Sequence, residues 1–235
     1  STYTATKWIP NYGISFDITL DVTIYANLLN SFSGSAQVSR SGAQLPPTTG
    51  QSKEAGLKFN LLDDDLTLTT AVFSIEQKNL AVTDRNGFPI ATTGRKSEGF
   101  DVDLNGSLLP GWDVTASYTY SDNKDPTTVR STITPRHSGN VWTSYEVQSG
   151  RYQGAGASVG ISGSSRTQNG PSNNAFNIGS SASTDASVFY RQPDWSLTLG
   201  VNNVFDRDIY YTSTTPLYIG VKEGRTWRLT GTYAL

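Results

Sequence analysis

The segment Trp195–Asn202, WSLTLGVN, alternates apolar and polar side chains at every position, and residues 227–235, WRLTGTYAL, do the same up to the end of the chain. Because successive side chains of a β-strand point to opposite faces, each segment predicts a strand with one apolar and one polar face. A terminal strand with such an apolar face is unusual in a soluble protein and typical of a barrel that faces lipid. The two segments therefore predict the closing hairpin of a membrane β-barrel.

The amino-acid composition fits a protein that crosses a membrane with β-strands, and it excludes several other classes of protein. Of the 235 residues, 36% are hydrophobic and 16% are charged, and no run of about 18 apolar residues could form a transmembrane helix. An aromatic content of 11%, together with sustained alternation, argues against disorder. A net charge of −2 gives no electrostatic basis for binding nucleic acid. The absence of cysteine excludes disulfides and thiol chemistry.

The same alternation recurs along the chain between turns of two kinds. Short polar turns centre near residues 20, 64, 110, 150 and 193, and longer polar connections, such as residues 31–51, 122–135 and 162–180, separate them. Short connections on one side and long ones on the other are typical of a transmembrane barrel with periplasmic turns and extracellular loops. Trp112 and Trp195 directly follow short turns, where a periplasmic aromatic girdle is expected.

Strand length and strand number refine this prediction. We expect each strand to have at least the roughly 9 to 11 residues that a tilted membrane span requires, whereas the strands of a soluble β-sandwich average about five or six. Single-chain bacterial barrels have even strand numbers, so either residues 1–8 hold a twelfth strand or the chain is part of a larger barrel. We predict eleven strands, with centres near residues 14, 26, 57, 72, 101, 117, 142, 157, 186, 199 and 230.

Several motifs resemble, in the same order, those of the TonB-dependent ferric-siderophore receptors of the outer membrane. The matching segments are KWIPNYGISFD (7–17), SEGFDVDLNG (97–106), PGW (110–112), PRHS (135–138), VNNVFDRDIYY (201–211) and GRT (224–226). The segment at 201–211 is the most specific. Two positions depart from the family pattern: Val204 stands where leucine is common, and Leu235 replaces the usual terminal phenylalanine, which bears on barrel assembly.

The resemblance implies an all-β fold, an antiparallel transmembrane β-barrel of about 22 strands filled by an N-terminal plug domain. Residues 1–235 would supply about eleven long strands, the C-terminal half, while the plug domain and the N-terminal half of the barrel would be absent from this chain. It also implies a receptor in the Gram-negative outer membrane that takes up ferric siderophores, energised by TonB through the plug region. The implied partners are a ferric siderophore, TonB, outer-membrane lipid and lipopolysaccharide, with no nucleic acid.

In such a receptor the chelator itself coordinates the iron, so we expect neither a protein ligand to the metal nor a cofactor bound directly by the protein. Aromatic and polar side chains of the extracellular loops and upper lumen would recognise the chelate. For Tyr210 and Tyr211, packing within the loop is the alternative role. The predicted siderophore-binding residues are Phe88, Arg136, His137, Phe176, Tyr210, Tyr211 and Tyr218.

The sequence contains no recognisable catalytic arrangement. One histidine, no cysteine and no Ser/His/Asp ordering leave no basis for nucleophilic catalysis, so we predict that the protein is not an enzyme. Three consecutive aspartates at residues 63–65 suggest calcium, but consecutive side chains point in different directions, and a solvated turn is expected instead. Asp101 and Asp103 are expected to line a wet interior rather than to act in acid–base chemistry.

Two other functions remain open. A passive pore or small barrel that folds alone, including one engineered from such a receptor, would form a closed ring of ten or twelve strands from this chain. A soluble β-rich adhesin or binding module would fold without detergent, whereas an isolated half-barrel would expose two open edges and an apolar outer face. The number of strands and the need for detergent therefore discriminate between these functions.

Overall fold

The computed structural model describes residues 6–84, 86–92, 94–124, 133–169, 176–212 and 218–234. The regular structure of these residues is β throughout. They include no helix that is long and apolar enough to cross a membrane. In chain order the strands are β1 (Tyr12–Asp17), β2 (Val22–Ser33), β3 (Thr48–Leu61), β4 (Leu66–Lys78), β5 (Leu80–Thr83), β6 (Pro89–Thr92), β7 (Arg95–Leu109), β8 (Trp112–Lys124), β9 (His137–Glu146), β10 (Ala155–Ser164), β11 (Thr167–Asn169), β12 (Phe176–Ile178), β13 (Ser181–Arg191), β14 (Trp195–Asn202), β15 (Tyr210–Tyr211), β16 (Gly220–Val221) and β17 (Thr226–Tyr233).

Eleven of these strands form one antiparallel sheet, in the hydrogen-bonding order β1-β2-β3-β4-β7-β8-β9-β10-β13-β14-β17. The predicted number of strands is therefore confirmed. The order follows the chain, and the other six strands form three two-stranded hairpins within the connections. The described strands of this sheet number eleven, whereas the small stand-alone barrel requires ten or twelve.

The connections alternate in length as predicted, and all five short turns are confirmed near the expected positions. The long connections contain more regular structure than the polar composition indicated. The first of them runs only from residue 34 to residue 47, because β2 and β3 extend into the predicted loop at 31–51. The predicted loop at 162–180 contains the hairpin β11–β12, in which Thr167 pairs with Ile178.

The prediction of strand length is wrong for three of the eleven strands. β1 has 6 residues, and β14 and β17 have 8 each, whereas the other eight strands of the sheet have 10 to 15. β1 begins after Pro10, which has no N–H to donate to a ladder. β14 ends at Asn202, because the next residue, Asn203, has a φ of 52° that turns the chain away from the sheet. No strand lies in residues 6–11, and the rest of the predicted twelfth strand, like Leu235, falls outside the described residues.

The chain divides into two compact units. In unit 1 the β1–β2 register places Ile14 opposite Ala26 and Phe16 opposite Ile24, so one face of this pair is apolar. On the other face the Thr23 hydroxyl donates to the Asp17 carboxylate at 2.6 Å. Unit 1 comprises Ser1–Lys58, Thr70–Phe100 and Ser121–Ser131, and unit 2 comprises Phe59–Thr69, Asp101–Tyr120 and Thr132–Leu235.

In unit 2 the registers of β8, β9, β10, β13, β14 and β17 align the predicted apolar positions on one face of the sheet, called here the apolar face. This face is open rather than packed as a core: Val188 is 56% exposed and Leu229 is 68% exposed. A soluble module would bury these side chains, so their exposure argues against the soluble alternative. The apolar face comprises Trp112, Val114, Ala116, Tyr118 and Tyr120 of β8, Val141, Thr143 and Tyr145 of β9, Ala155, Ala157, Val159 and Ile161 of β10, Ala186, Val188 and Tyr190 of β13, Trp195, Leu197, Leu199 and Val201 of β14, and Trp227, Leu229, Gly231 and Tyr233 of β17.

Aromatic side chains are concentrated on the apolar face at the end with the short turns. Trp112 lies opposite Tyr145, and Trp195 lies opposite Tyr233. The rings of Tyr190 and Trp195 meet edge to face, with centroids 5.6 Å apart. Amphipathic aromatic rings are favoured at the boundary between hydrocarbon and water. The two tryptophans predicted to follow short turns, Trp112 and Trp195, therefore lie on the apolar face beside those turns.

The short turn between β9 and β10 contains two glycines with left-handed backbone conformations, Gly150 (φ 82°) and Gly154 (φ 86°). A Cβ at Gly150 would meet open space, whereas a Cβ at Gly154 would overlap the carbonyl oxygen of Arg191 on β13. The Gly154 carbonyl also accepts a hydrogen bond from the Arg191 N–H at 2.8 Å. Gly154 therefore allows β13 to approach this turn closely.

Both Gly154→Ala and Gly150→Ala place an alanine in a left-handed backbone conformation, which lowers the free energy of unfolding. We expect Gly154→Ala to lower it by about 1–3 kcal/mol more than Gly150→Ala, because only at Gly154 does the added methyl group overlap another atom. Urea unfolding of the refolded protein in detergent measures both values. Equal losses in the two variants would contradict the steric role of Gly154.

Candidate ligand-binding site on the polar face

The face of unit 2 opposite the apolar face, called here the polar face, carries two cross-strand rows of small polar side chains. Both rows cross β8, β9, β10 and β13 near the ends of these strands that lead into the long connections. Their hydroxyl and amide groups can each donate and accept hydrogen bonds. The inner row is Ser117, Asn140, Ser162 and Ser183, and the outer row is Thr119, Ser138, Ser164 and Ser181.

The segment between β14 and β17 lies against these rows and encloses a recess of about 260 Å³. Ile209, which is 5% exposed, and Lys222 line the recess from this segment. The Lys222 N–H donates to the Ile209 carbonyl at 2.8 Å, which joins the two arms of the segment. Among the described residues that line the recess, Lys222 carries the only formal charge. The recess therefore suits a ligand that offers anionic or hydrogen-bonding oxygens.

A second recess, of about 450 Å³, adjoins the first and shares Ile209 and Lys222 with it. Asp185, Tyr211 and Glu223 also line this second recess, so its charge is mixed. Together the two recesses form a continuous polar surface on both sides of the Ile209–Lys222 contact.

Asn203 fixes the start of the segment that borders both recesses. Its side chain is 4% exposed and forms two hydrogen bonds with the backbone of Arg207: Nδ2 donates to the carbonyl at 2.8 Å, and Oδ1 accepts from the N–H at 3.0 Å. The Asn203 N–H donates to the Asp185 carboxylate on β13 at 2.7 Å. Asparagine tolerates the left-handed conformation found here better than most residues do. This turn is thus closed locally and tied to the polar face.

Asp206 fixes the other arm of the same segment. Its carboxylate accepts a hydrogen bond from the Arg225 N–H at 2.7 Å, directly before β17 begins. The Arg225 guanidinium in turn donates to the Val204 carbonyl at 3.4 Å. Because both arms are anchored, the positions of Ile209 and Lys222 follow from hydrogen bonds at the ends of β14 and β17.

Two aromatic rings of the polar face lie across glycines of β10. A Cβ at Gly160 would overlap the ring of Trp142, and a Cβ at Gly156 would overlap the ring of Phe189. In both cases the glycine is the direct cross-strand neighbour of the aromatic residue. An aromatic ring that covers a strand glycine replaces the packing which the missing side chain cannot supply.

Residues 1–204 match the family model described as "TonB dependent receptor-like, beta-barrel". The chain belongs to this family. Its members are β-barrel proteins of the Gram-negative outer membrane, so the predicted family, fold class and localisation are confirmed.

The chain is similar in sequence to curated receptors that are much longer than itself. It is 28% identical over 225 residues to the metal-pseudopaline receptor CntO of Pseudomonas aeruginosa (strain UCBPP-PA14), a match that covers 92% of this chain and 32% of that receptor. It is 32% identical over 212 residues to the ferric-pyoverdine BN7/BN8 receptor of Pseudomonas putida, covering 88% of this chain and 26% of that receptor. The chain thus spans about a third or less of these relatives. They are receptors, which supports the prediction that this protein is not an enzyme.

Solved receptor structures share the fold. The ferripyoverdine receptor of the Pseudomonas aeruginosa outer membrane, bound to ferripyoverdine, matches with a TM-score of 0.88 at 22% identity and covers 98% of this chain and 33% of that chain. The closed form of the ferric-catecholate import receptor Fiu from Escherichia coli K12 matches with a TM-score of 0.78 at 22% identity, covering 94% and 34%. At this identity the likeness concerns the fold alone.

Three of the predicted siderophore-binding residues lie in the segment between β14 and β17. Tyr211 lines the second recess, and its ring lies over Gly220 in the hairpin β15–β16. Tyr210 pairs with Val221 in the same hairpin and is 45% exposed. Tyr218 is 64% exposed. Tyr211 is therefore the predicted aromatic residue that the fold brings to the polar recesses.

His137 and Arg136 are adjacent in sequence but lie in different surroundings. His137 is the cross-strand neighbour of Tyr120, on the same side of the sheet as the apolar face, and its Nδ1 lies 2.7 Å from the Tyr118 hydroxyl. This position favours a place among the aromatic side chains at the loop end of the apolar face. The Arg136 N–H donates to the Ser165 hydroxyl at 3.0 Å, just beyond the end of β10.

The two predicted phenylalanines lie in hairpins of the long connections. Phe88 precedes β6 in unit 1, where its N–H donates to the Asp84 carboxylate at 2.8 Å and the Arg40 guanidinium lies 5.2 Å from its ring centroid. Phe176 begins β12 in unit 2 and pairs with Asn169. These contacts stabilise the hairpin tips and leave the predicted binding roles of both residues untested.

The acidic residues singled out in the sequence have structural surroundings. Leu62, Asp63 and Asp64 all have positive φ, as the tight turn between β3 and β4 requires. Asp101 and Asp103 share the polar side of β7 with Asn105, whose amide oxygen accepts from the Thr115 hydroxyl at 2.9 Å. Within the described ranges, no group of three or more His, Cys, Asp or Glu side chains is arranged to hold a metal ion.

Sequence reasoning missed the residues that form the recesses. From the sequence, the serines, threonines and asparagine of the two rows are recognised only as the polar side of each strand. Their alignment into rows depends on the register between strands. Lys222 and Asn203 lie in or next to a polar loop and gave no periodic signal. The one available indication was the spacing of Asn203, Asp206 and Arg207 within the family motif at 201–211.

We expect Asn203→Ala to lower the free energy of unfolding by about 1–3 kcal/mol, because two hydrogen bonds of a buried amide are lost. Asn202→Ala is the matched control, since the neighbouring amide is exposed and lies 3.5 Å from its acceptor, the Thr226 hydroxyl. This control should cost less than about 0.5 kcal/mol. Urea unfolding in detergent, together with proteolysis of the segment between β14 and β17, measures both; equal losses would exclude an anchoring role for Asn203.

Proposed function

We propose that the chain is the C-terminal part of an outer-membrane receptor that takes up ferric siderophores with energy supplied through TonB. The proposal rests on membership of the TonB-dependent receptor-like family and on relatives whose names are those of ferric-pyoverdine and metal-pseudopaline receptors. The short fraction of those relatives that this chain spans supports assigning residues 1–235 to part of a larger barrel. TonB would act through a plug region outside this chain, and outer-membrane lipid and lipopolysaccharide would contact the apolar face.

The observation that carries the proposal is the recess on the polar face. Two rows of hydroxyl and amide groups line it together with Lys222, and the described residues of this lining include no carboxylate or histidine. Such a lining can bind the outer oxygens of a metal chelate by hydrogen bonds and one positive charge.

The proposed binding surface combines the recesses with the nearby loops. Lys222, Ile209 and Tyr211 form its inner part, where hydrogen-bonding groups converge. A binding role for His137 has less support, because its side chain lies on the same side of the sheet as the apolar face. Further proposed contacts on the side of the long connections are Arg136, Phe176, Tyr210, Tyr218 and Phe88.

We expect the complete gene product, purified in detergent, to bind at least one ferric siderophore more tightly than the iron-free chelator. Equilibrium titration with a panel of radio-iron complexes measures this affinity. Uptake of the bound complex into cells should stop when TonB is removed. Failure to bind any ferric chelate would overturn the proposal.

Lys222→Gln should weaken binding of an anionic ferric chelate about tenfold, the typical effect of losing a hydrogen bond to a charged group. Arg151→Gln removes the same charge from the short turn between β9 and β10, away from the recess, and is the matched control. The control should bind within about twofold of the wild type. Equal losses in the two variants would indicate a long-range charge effect rather than a contact at Lys222.

A further inference from the structure

The sequence contains three Asn-Gly pairs, at residues 86–87, 105–106 and 169–170. In such a pair the backbone nitrogen of the glycine can attack the side-chain amide of the asparagine, because glycine has no Cβ to obstruct the approach. The glycine of the third pair lies outside the described residues. The first two pairs have the same chemistry, and the structure places them in contrasting surroundings.

The first pair, Asn86-Gly87, lies at the tip of the hairpin β5–β6 in unit 1. Asn86 is exposed, and among the described residues none forms a hydrogen bond with its side-chain amide. A Cβ at Gly87 would have no atom within 4 Å. The Gly87 N–H donates to the Asp84 carbonyl at 3.1 Å, and this hydrogen bond must open before the nitrogen can attack. Because exposed turns open locally at a small cost in free energy, the attack is accessible to the folded protein.

The second pair, Asn105-Gly106, lies within the long strand β7 in unit 2. The Asn105 amide oxygen accepts a hydrogen bond from the Thr115 hydroxyl on β8 at 2.9 Å. A Cβ at Gly106 would overlap the Asp65 carbonyl oxygen, and the Ser107 N–H donates to that same oxygen at 2.8 Å. Attack at Asn105 therefore requires β7 to separate from its neighbours, which costs much more free energy than the opening of an exposed turn.

We propose that Asn86 is a site of spontaneous deamidation, whereas Asn105 is protected by the sheet. The Gly87 nitrogen gives its proton to solvent and bonds to the side-chain carbonyl carbon of Asn86. The amide nitrogen of that side chain takes up a proton and leaves as ammonia, which closes a cyclic imide. Water then adds to either carbonyl carbon of the imide and opens the ring. The products are aspartate and isoaspartate, and water is the only co-reactant.

Either product changes the tip of the hairpin β5–β6. The Asp84 carboxylate accepts hydrogen bonds from the N–H groups of Asn86 and Phe88, both at 2.8 Å, and a second carboxylate at residue 86 repels it. Isoaspartate also adds one carbon to the backbone between residues 86 and 87, which moves the Phe88 N–H away from Asp84. The Phe88 ring, whose centroid lies 5.2 Å from the Arg40 guanidinium, then loses its fixed position. Deamidation therefore loosens a contact between two of the long connections.

Peptide mapping by mass spectrometry tests the proposal on the complete gene product, incubated in detergent at mildly alkaline pH. Each conversion raises the mass of the peptide by about 1 Da, and an isoaspartate-specific methyltransferase assay detects the rearranged product. We expect Asn86 to convert at least about tenfold faster than Asn105 in the folded protein. In the protein unfolded by urea, where no sheet protects either pair, the two rates should agree within about threefold.

Two glycine variants test whether the attack comes from the nitrogen of residue 87. Gly87→Ala obstructs the approach of this nitrogen and should slow the conversion of Asn86 about tenfold. Gly42→Ala is the matched control, because Gly42 also has a positive φ (77°) and open space around the added methyl group. This control should leave the rate at Asn86 within about twofold of the wild type. Equal rates at Asn86 and Asn105 in the folded protein, a difference that persists in urea, or an unchanged rate in Gly87→Ala would each overturn the proposal.

Discussion

The structure depends on keeping the two-residue alternation of each strand in register with its neighbours. A shift of one residue between any two strands would move every side chain of one strand to the opposite face. In unit 2 the register is maintained from β8 to β17, so the apolar residues of six strands share one face and the serines and threonines of four strands share the other. In lipid, where the backbone has no water to bond with, the continuous ladder is also the only way to satisfy its polar groups.

The binding surface is a consequence of the same register, combined with one anchored segment. Small residues on β8, β9, β10 and β13 leave space above the sheet, and the hydrogen bonds of Asn203 and Asp206 hold Ile209 and Lys222 across that space. Glycines at positions 156 and 160 serve the aromatic residues beside them, since a side chain on either would force the ring away from the wall. Residues that look unremarkable in the sequence, such as Gly160 and Ser162, thus define the shape of the polar face.

The fold could be predicted well because it depends on a local pattern. The alternation at Trp195–Asn202 and its repeats predicted the eleven strands, their faces and the five short turns. The hairpins β5–β6, β11–β12 and β15–β16 were missed, because strands of two to four residues are too short to show alternation. The short length of β14 was missed because it is set by the left-handed turn at Asn203 rather than by any change in composition.

The site was predicted less well, since it is built from residues that are far apart in the chain. The sequence by itself determined the class of fold, the two faces of each strand and, through its ordered motifs, the receptor family. Each of these depends on residues that are close together in the chain. Only the tertiary structure decided that His137 lies beside Tyr118 and Tyr120, that Trp142 lies across Gly160, and that Lys222 faces two rows of hydroxyl groups. The physical reason is that strand register and loop anchoring bring these groups together, and no periodicity within a single strand specifies either.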